Sequence, residues 1–373
     1  MKVLLLVQSE GRGHLSQAMV VASILRENEI EISAVVTGRN PNRSLPAYFR
    51  KRMPVEIHQL DSFSFVYSAS QKGINTFKTI IHTLKNVSQH LSSVRQLSKI
   101  IKEKKPDLIL NFYEPLGALH FLFNPFYPVE RIGIGHQYLQ LHPEYEFPKG
   151  NWSAKFLFKL YTRFTALGNN SNLALSATPI PRSASLTIIP PLLRPETSLY
   201  RQETTEKIIL AYVVNPGFRG EIEMLAQKYP EYSFHLFSDI LKEDSGNISY
   251  HIPDDQLFLR YLSRCEFFLS TAGFESVCEA LFLNKKIFLV PVAQHFEQLS
   301  NAYEFSASPS VFYGKSFLEF NTNLPYKPVN PEQQIWIEQG RKACWNVLSL
   351  YLSRNLFSYP TSSPSTISSS FGS

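Results

Sequence analysis

Gly11-Arg12-Gly13-His14-Leu15-Ser16 is the first group whose residue types and spacing suit chemistry. Glycines at alternate positions let backbone approach a ligand closely, and a following helix draws negative charge to its N-terminus. A dinucleotide fingerprint needs Gly or Ala where Ser16 stands. It also needs an acid at the end of the next strand, where Thr37-Gly38-Arg39 stands instead. Arg39 keeps an NADP reading open, through a 2′-phosphate. His14 falls where the loop enters the helix. The positive end of a helix disfavours an imidazolium, so a neutral His14 is expected near pH 7, a competent general base for a hydroxyl. A histidine that merely caps the loop is the competing reading.

A second constellation runs Ser270-Thr271-Ala272-Gly273-Phe274-Glu275-Ser276-Val277-Cys278-Glu279. A strand ends, a tight loop follows and a helix begins. Backbone N–H groups there can hold a diphosphate without any cation. Glu275 and Glu279 are four apart, so both carboxylates share one helix face. A carboxylate at the depth of Glu279 can accept paired hydrogen bonds from a ribose diol; solvated glutamates on an ordinary helix are the alternative. One unit further on, Gln294, Glu297 and Gln298 offer donors and acceptors for sugar hydroxyls at another strand end. The loop Asn215-Pro216-Gly217 adds Asn215 and Gly217 to the donor-side candidates. Glu114 and His136 also follow strands of the first half, which places them as candidates for an acceptor cleft, Glu114 with a catalytic role.

These residues need strands and helices to hold them. Val3–Val7 is a continuous apolar run, as a strand buried on both faces requires. Strands at 30–36, 107–112 and 131–134 alternate with helical patterns at 15–27 and 77–105. After the proline-rich stretch 188–195 the alternation restarts, with strands at 208–214, 233–237, 266–270 and 287–290. This predicts two doubly wound α/β domains. The divisions are an acceptor-side domain over 1–190, a linker over 191–206 and a donor-side domain over 207–330. A C-terminal helix over 331–355 and a disordered Ser/Thr/Pro-rich tail over 356–373 complete the chain.

Composition agrees. The chain has 373 residues, 44% of them hydrophobic, and 18% charged residues against roughly 25% in ordinary globular chains. Three cysteines without paired spacing exclude a disulfide scaffold and a cysteine zinc site, and suggest a reducing compartment. Residues 1–190 hold 22 Lys and Arg against 12 Asp and Glu; residues 191–373 hold 15 against 19. A basic first half suggests an anionic partner. No run reaches the roughly 18 apolar residues of a membrane span, and the first strand is too short for a signal peptide. The expectation is a cytoplasmic protein.

Taken in order, Thr271 to Phe274, Glu279-Ala280-Leu281, Lys286 to Pro291, Phe296-Glu297-Gln298 and Asn301-Ala302 resemble the donor-site signature of GT-B glycosyltransferases. The nearest groups are the MurG-like and UDP-glucuronosyltransferase-like ones, and the likeness spans residues 1–306. Pro190 to Pro195 resembles the linker of a poorly characterised MurG-like subgroup. The resemblance implies a GT-B fold, with two Rossmann-like domains facing across a cleft and the C-terminal helix returning to the N-terminal domain. It implies that Glu279 holds the ribose and that Glu297 and Gln298 contact the donor sugar. It also implies that Gly11, Gly13 and His14 form the acceptor-side loop, with His14 as base.

The expected reaction is inverting transfer of a hexose-type sugar from a nucleotide donor, UDP first, to a hydroxyl acceptor. A lipid-linked or cell-envelope glycan is among the candidate acceptors. The nucleotide sugar is a co-substrate; no cofactor is expected, and the absence of any Asp-x-Asp triplet agrees with metal independence. A nucleotide-sugar epimerase on the same fold and a non-catalytic sugar-nucleotide binder are the alternatives. Glu297 stands where an aspartate is common in plant and animal relatives, which leaves the sugar open. No module for nucleic acid is visible. Trp152, Phe156, Leu160 and Phe164 recur every fourth residue beside Lys155, Lys159 and Arg163. Such a helix can lie on an anionic bilayer, giving peripheral contact at the inner face of a membrane. Core packing is the commoner use of this pattern.

Overall fold

The computed structural model describes residues 1–39, 44–64, 66, 73, 76–181, 183, 185–201, 205–213 and 216–357. Asn215 and the tail 358–373, both singled out above, lie outside the described residues.

The first sheet contains β1 (Lys2–Val7), β2 (Glu31–Arg39), β3 (Ile57–Asp61), β4 (Leu108–Phe112), β5 (Glu130–Gly135), β6 (Ser171–Leu175) and β7 (Thr187–Ile189). Its order is β3-β2-β1-β4-β5-β6-β7. The second contains β8 (Ile208–Tyr212), β9 (Ser233–Phe237), β10 (Ile248–His251), β11 (Phe267–Ser270), β12 (Lys286–Leu289) and β13 (Val311–Tyr313), in the order β10-β9-β8-β11-β12-β13. All pairings within both sheets are parallel. Parallel strands need helical crossovers, which cover both faces. That is why Val3 to Val7 are fully buried.

Each sheet reverses direction at its first strand. β1 lies between β2 and β4, and β8 between β9 and β11. The crevice outside the carboxyl ends at such a reversal is where open α/β sheets bind ligands. Both reversals deliver loops to the space between the domains.

The edge strands β3, β7, β10 and β13, and β6 inside β7, add to the eight strands read from sequence. They are short, and β3 (Ile57-His58-Gln59-Leu60-Asp61) mixes polar with apolar residues, so no continuous apolar run marks it. The helical pattern over 77–105 divides into Thr76–Lys85 and Val87–Lys104. The break is at Asn86, whose side-chain amide meets His82 Nε2 at 3.0 Å.

The C-terminal pattern likewise divides, into Pro331–Glu338 and Gly340–Phe357. At the joint, Gly340 passes so close to the linker that an added Cβ would lie 1.8 Å from the Pro191 carbonyl oxygen. The last helix then returns to the first domain. Arg341 donates to Ser23 Oγ at 2.8 Å and to Glu27 at 2.6 Å. Trp336 Nε1 donates to the Ser176 carbonyl at 2.8 Å.

Helix Trp152–Ala166 turns the first three residues of its stripe outward, while Phe164 packs against Phe63 and Tyr161. Trp152, Phe156 and Leu160 are 80%, 58% and 52% exposed, whereas Thr162 and Thr165 are buried. Core packing therefore accounts for Phe164 but not for Trp152, Phe156 and Leu160. Lys155 and Lys159 lie over the Phe147 ring at 4.3 and 5.4 Å. Among the described residues no helix is long and apolar enough to cross a membrane.

Candidate functional site

One cleft collects the carboxyl-end loops of both sheets. From the first domain come Glu10 to His14, Gln17, Tyr48, His136 and Gln137; from the second, Ser270 to Ser276, Glu279, His295, Glu297 and Gln298.

Helix Arg12–Glu27 begins three residues earlier than the apolar pattern suggested, with Gly11 as its extended N-cap. His14 therefore lies in the first helical turn. Its ring stacks on Tyr113, centroids 5.6 Å apart, and is 6% exposed. Burial holds the imidazole below its ordinary pKa, against the pull of the Glu297 carboxylate, so it is neutral at pH 7. Gln17 Oε1 is 3.3 Å from His14 Nδ1, and Gln137 Nε2 is 3.3 Å from His14 Nε2.

Across the cleft, Thr271-Ala272-Gly273 makes a tight loop in which Ala272 takes the left-handed conformation, φ 60°. That conformation costs a residue with a Cβ about 1–2 kcal/mol. Asn301 Nδ2 offsets it by donating to the Ala272 carbonyl at 3.1 Å from a buried position. The loop delivers Gly273 as N-cap of helix Phe274–Phe282, with no side chain capping the first turn. Those amides are left for an anion. Phe274 stacks on His136 at 3.8 Å. Ser276 lines the cleft at the same helix end. Gly13 fits directly against Glu275, where an added Cβ would be 3.7 Å from Cγ.

Glu275 is buried, and burial raises its carboxyl to a pKa of about 8, despite the hydrogen bond from Gln17. A protonated Glu275 does not repel an anion at neutral pH. One turn on, Glu279 is held by Arg194, Nε to Oε1 at 2.6 Å and Nη2 to Oε2 at 2.5 Å. Arg194 Nη1 also donates to the Asp255 carbonyl at 2.8 Å. A carboxylate has roughly four lone-pair directions, so this pairing leaves acceptor capacity toward the cleft.

Glu297 accepts from Gln137 Nε2 at 2.8 Å. Gln298 Oε1 accepts from the Val292 amide at 2.9 Å, and His295 Nδ1 caps the helix by accepting from the Gln298 amide at 3.4 Å.

Some sequence-derived candidates are placed elsewhere. Glu114 does not line the cleft. Its carboxylate turns back to cap its own helix, accepting from the Leu116 amide at 3.1 Å and from Ser62 Oγ. Burial raises it to a pKa of about 7. Gly217 and Gln294 are not cleft-lining either, and Gln294 is an exposed residue at φ 59°. His136 reaches the cleft wall, but its partners make it a domain-docking group. Nδ1 donates to the Leu175 carbonyl at 2.8 Å, and Nε2 faces Glu304 of the second domain at 3.3 Å. Burial disfavours its charge, yet Glu304 outweighs burial and raises its pKa.

Gln17, Gln137 and Arg194 are among the cleft residues that sequence reasoning passed over. Gln17 carried a signal, since it follows His14 by three residues and so shares its helix face. Gln137 adjoins a named strand-end residue. Arg194 sits in a proline-rich linker with no chemical signature.

Two doubly wound parallel domains, with both switch points opening on one shared cleft, define a GT-B glycosyltransferase. The chain belongs to glycosyl transferase family 1, whose model matches residues 1–315. No curated protein matches it. Solved structures with this fold include MurG of Acinetobacter baumannii, 12% identical with a TM-score of 0.56, covering 95% of this chain and 100% of that one. CalG4, the calicheamicin glycosyltransferase, is 14% identical with a TM-score of 0.57, covering 94% and 98%. The Streptomyces sp. SF2575 glycosyltransferase SsfS6, complexed with thymidine diphosphate, is 12% identical with a TM-score of 0.58, covering 94% and 99%.

Proposed function

We propose that the protein transfers a hexose-type sugar, with inversion, from a nucleotide donor to a hydroxyl acceptor, without a metal. UDP-linked donors are the first candidates. The observation that carries this reading is the position of His14, a neutral imidazole facing an uncapped helix N-terminus across the cleft. The acceptor hydroxyl gives its proton to His14 Nε2 and its oxygen attacks the anomeric carbon. The bond from that carbon to the diphosphate breaks, and the diphosphate leaves with the electron pair. Amides of the loop Thr271 to Gly273 and of the first turn of helix Phe274–Phe282 receive its charge. Glu279 takes the ribose hydroxyls, with Glu297 and Gln298 toward the sugar. Holding both substrates in one cleft makes the step effectively unimolecular. The thymidine diphosphate bound to SsfS6 supports a nucleoside diphosphate as the donor's leaving group.

Thermal unfolding with UDP, dTDP and GDP identifies the base, because a ligand that binds only the folded state raises its stability. With the donor in hand, His14→Ala should cut turnover by about 10²–10⁴-fold while nucleotide affinity holds. Unchanged turnover rejects His14 as base. The outward stripe Trp152, Phe156 and Leu160 favours a second element of the reading, an acceptor presented at an anionic membrane surface.

A further inference from the structure

Glu275 and His14 belong to opposite domains, yet one glutamine joins them. Gln17 Nε2 donates to Glu275 Oε1 at 2.7 Å, and Gln17 Oε1 lies 3.3 Å from His14 Nδ1. The Gln17 NH₂ is the end turned toward Glu275 Oε1, which accepts as the carbonyl oxygen of the carboxyl group, its proton resting on Oε2. The Gln17 carbonyl oxygen is then the end that meets His14. Only an N–H at Nδ1 satisfies that oxygen.

A second glutamine reaches the same answer from the other side of the ring. Gln137 Nε2 is 2.8 Å from Glu297 Oε1 and 3.3 Å from His14 Nε2. Glu297 fixes which end of the Gln137 amide carries hydrogen. A Gln137 N–H therefore faces His14 Nε2, and that nitrogen must present its lone pair. Both acidic residues, at the outer ends of this chain of contacts, come from the second domain. Gln17 is 2% exposed, so water does not compete for these bonds.

Resting on the reading of His14 as base, we infer that Gln17 is a positioning residue that holds His14 in its Nδ1-protonated tautomer, with its own orientation set by Glu275 across the domain boundary. Which imidazole nitrogen carries the proton is decided by the bond the other one makes. Here that bond lies within one helix, but the amide orientation that makes it is set by Glu275 of the other domain. The second domain thus helps leave the lone pair of Nε2 toward the cleft. The acceptor hydroxyl replaces the Gln137 N–H at Nε2 and delivers its proton there. The resulting imidazolium keeps its Nδ1–H bond to the Gln17 carbonyl.

The test reads the tautomer directly, from imidazole ¹⁵N resonances of the full, ligand-free chain. The His14 signals are assigned by their absence from His14→Asn. The expected result is an Nδ1-protonated, Nε2-unprotonated ring. Gln17→Met, close in shape but without the carbonyl, leaves only the Gln137 contact at 3.3 Å to hold the tautomer and should raise the Nε2-protonated fraction. It should also lower kcat by about 10–1,000-fold with the donor KM nearly unchanged. Glu275→Gln, with little change of volume, lets an NH₂ face Gln17 in place of the accepting oxygen and should give a mixture of tautomers, which keeps the test available if Gln17→Met does not fold. An Nε2-protonated ring in the unaltered chain overturns the inference. So does a ring that stays Nδ1-protonated in both variants. If His14→Ala retains full turnover, the base assignment fails by itself, and the ¹⁵N result still decides what Gln17 does.

Discussion

Arg194, in the linker between the domains, grips Glu279 by both carboxylate oxygens, at 2.6 and 2.5 Å. The arginine is 8% exposed and the glutamate 4%. Burial works against the guanidinium charge, but Glu279 outweighs it, and the arginine stays protonated at every pH of interest. The linker thus does more than connect. It places a cation in the cleft against the helix whose N-terminus is open for an anion. Arg52 of the first domain extends the contact, pairing with Glu196 at 2.6 Å and with Asp255.

Removing one member of a buried pair leaves the other charge uncompensated. Arg194→Leu should therefore cost about 3–5 kcal/mol of unfolding free energy in urea. The double variant Arg194→Leu with Glu279→Leu should recover much of that loss. A double variant as unstable as the single one would mean that packing, and not charge, dominates this contact.

Two buried carboxyl groups make stability fall as pH rises. Glu114 and Glu275 have pKa values of about 7 and about 8 in the folded protein. In an unfolded chain a glutamate titrates near 4.3. Between these values the folded state holds protons that the unfolded state has released. Each group's contribution is fully present below about pH 4.3 and is lost as pH climbs through its folded value, by up to about 1.4 kcal/mol per pH unit. Glu114→Gln should flatten the slope between pH 5 and 7 when urea midpoints are compared. An unaltered slope would show that Glu114 is ionised in the folded state.

The outward stripe gives a membrane prediction. Vesicles of phosphatidylcholine with phosphatidylglycerol should carry the protein in flotation at low salt, and less of it as salt rises. Trp152→Glu with Phe156→Glu should reduce the bound fraction by tenfold or more. Because Trp152 and Phe156 are exposed, the unfolding midpoint should hardly move. Equal flotation of both proteins would remove the stripe from membrane contact.

The alternation of strand and helix was legible in the sequence because burial on both faces demands continuous apolar runs, and β1, β4, β8 and β11 supply them. The loops that meet in the cleft were legible for a related reason. Glycine-containing turns at strand ends, at Gly11 to Gly13 and Thr271 to Gly273, are local features. The edge strands were not legible, since an edge needs only half the apolar content.

What the sequence determined by itself was therefore local: two α/β units, the ends of their strands, His14 where a loop enters a helix and Glu279 one turn into another. Only the tertiary structure decided partners. Glu275 meets Gln17 across 258 positions and Glu279 meets Arg194 across 85. Glu114 leaves the cleft because its nearest unsatisfied donors are the amide of its own helix and Ser62. Hydrogen-bond direction, burial and charge depend on what lies opposite a side chain. Residues far apart in the chain set that, and no local pattern encodes it.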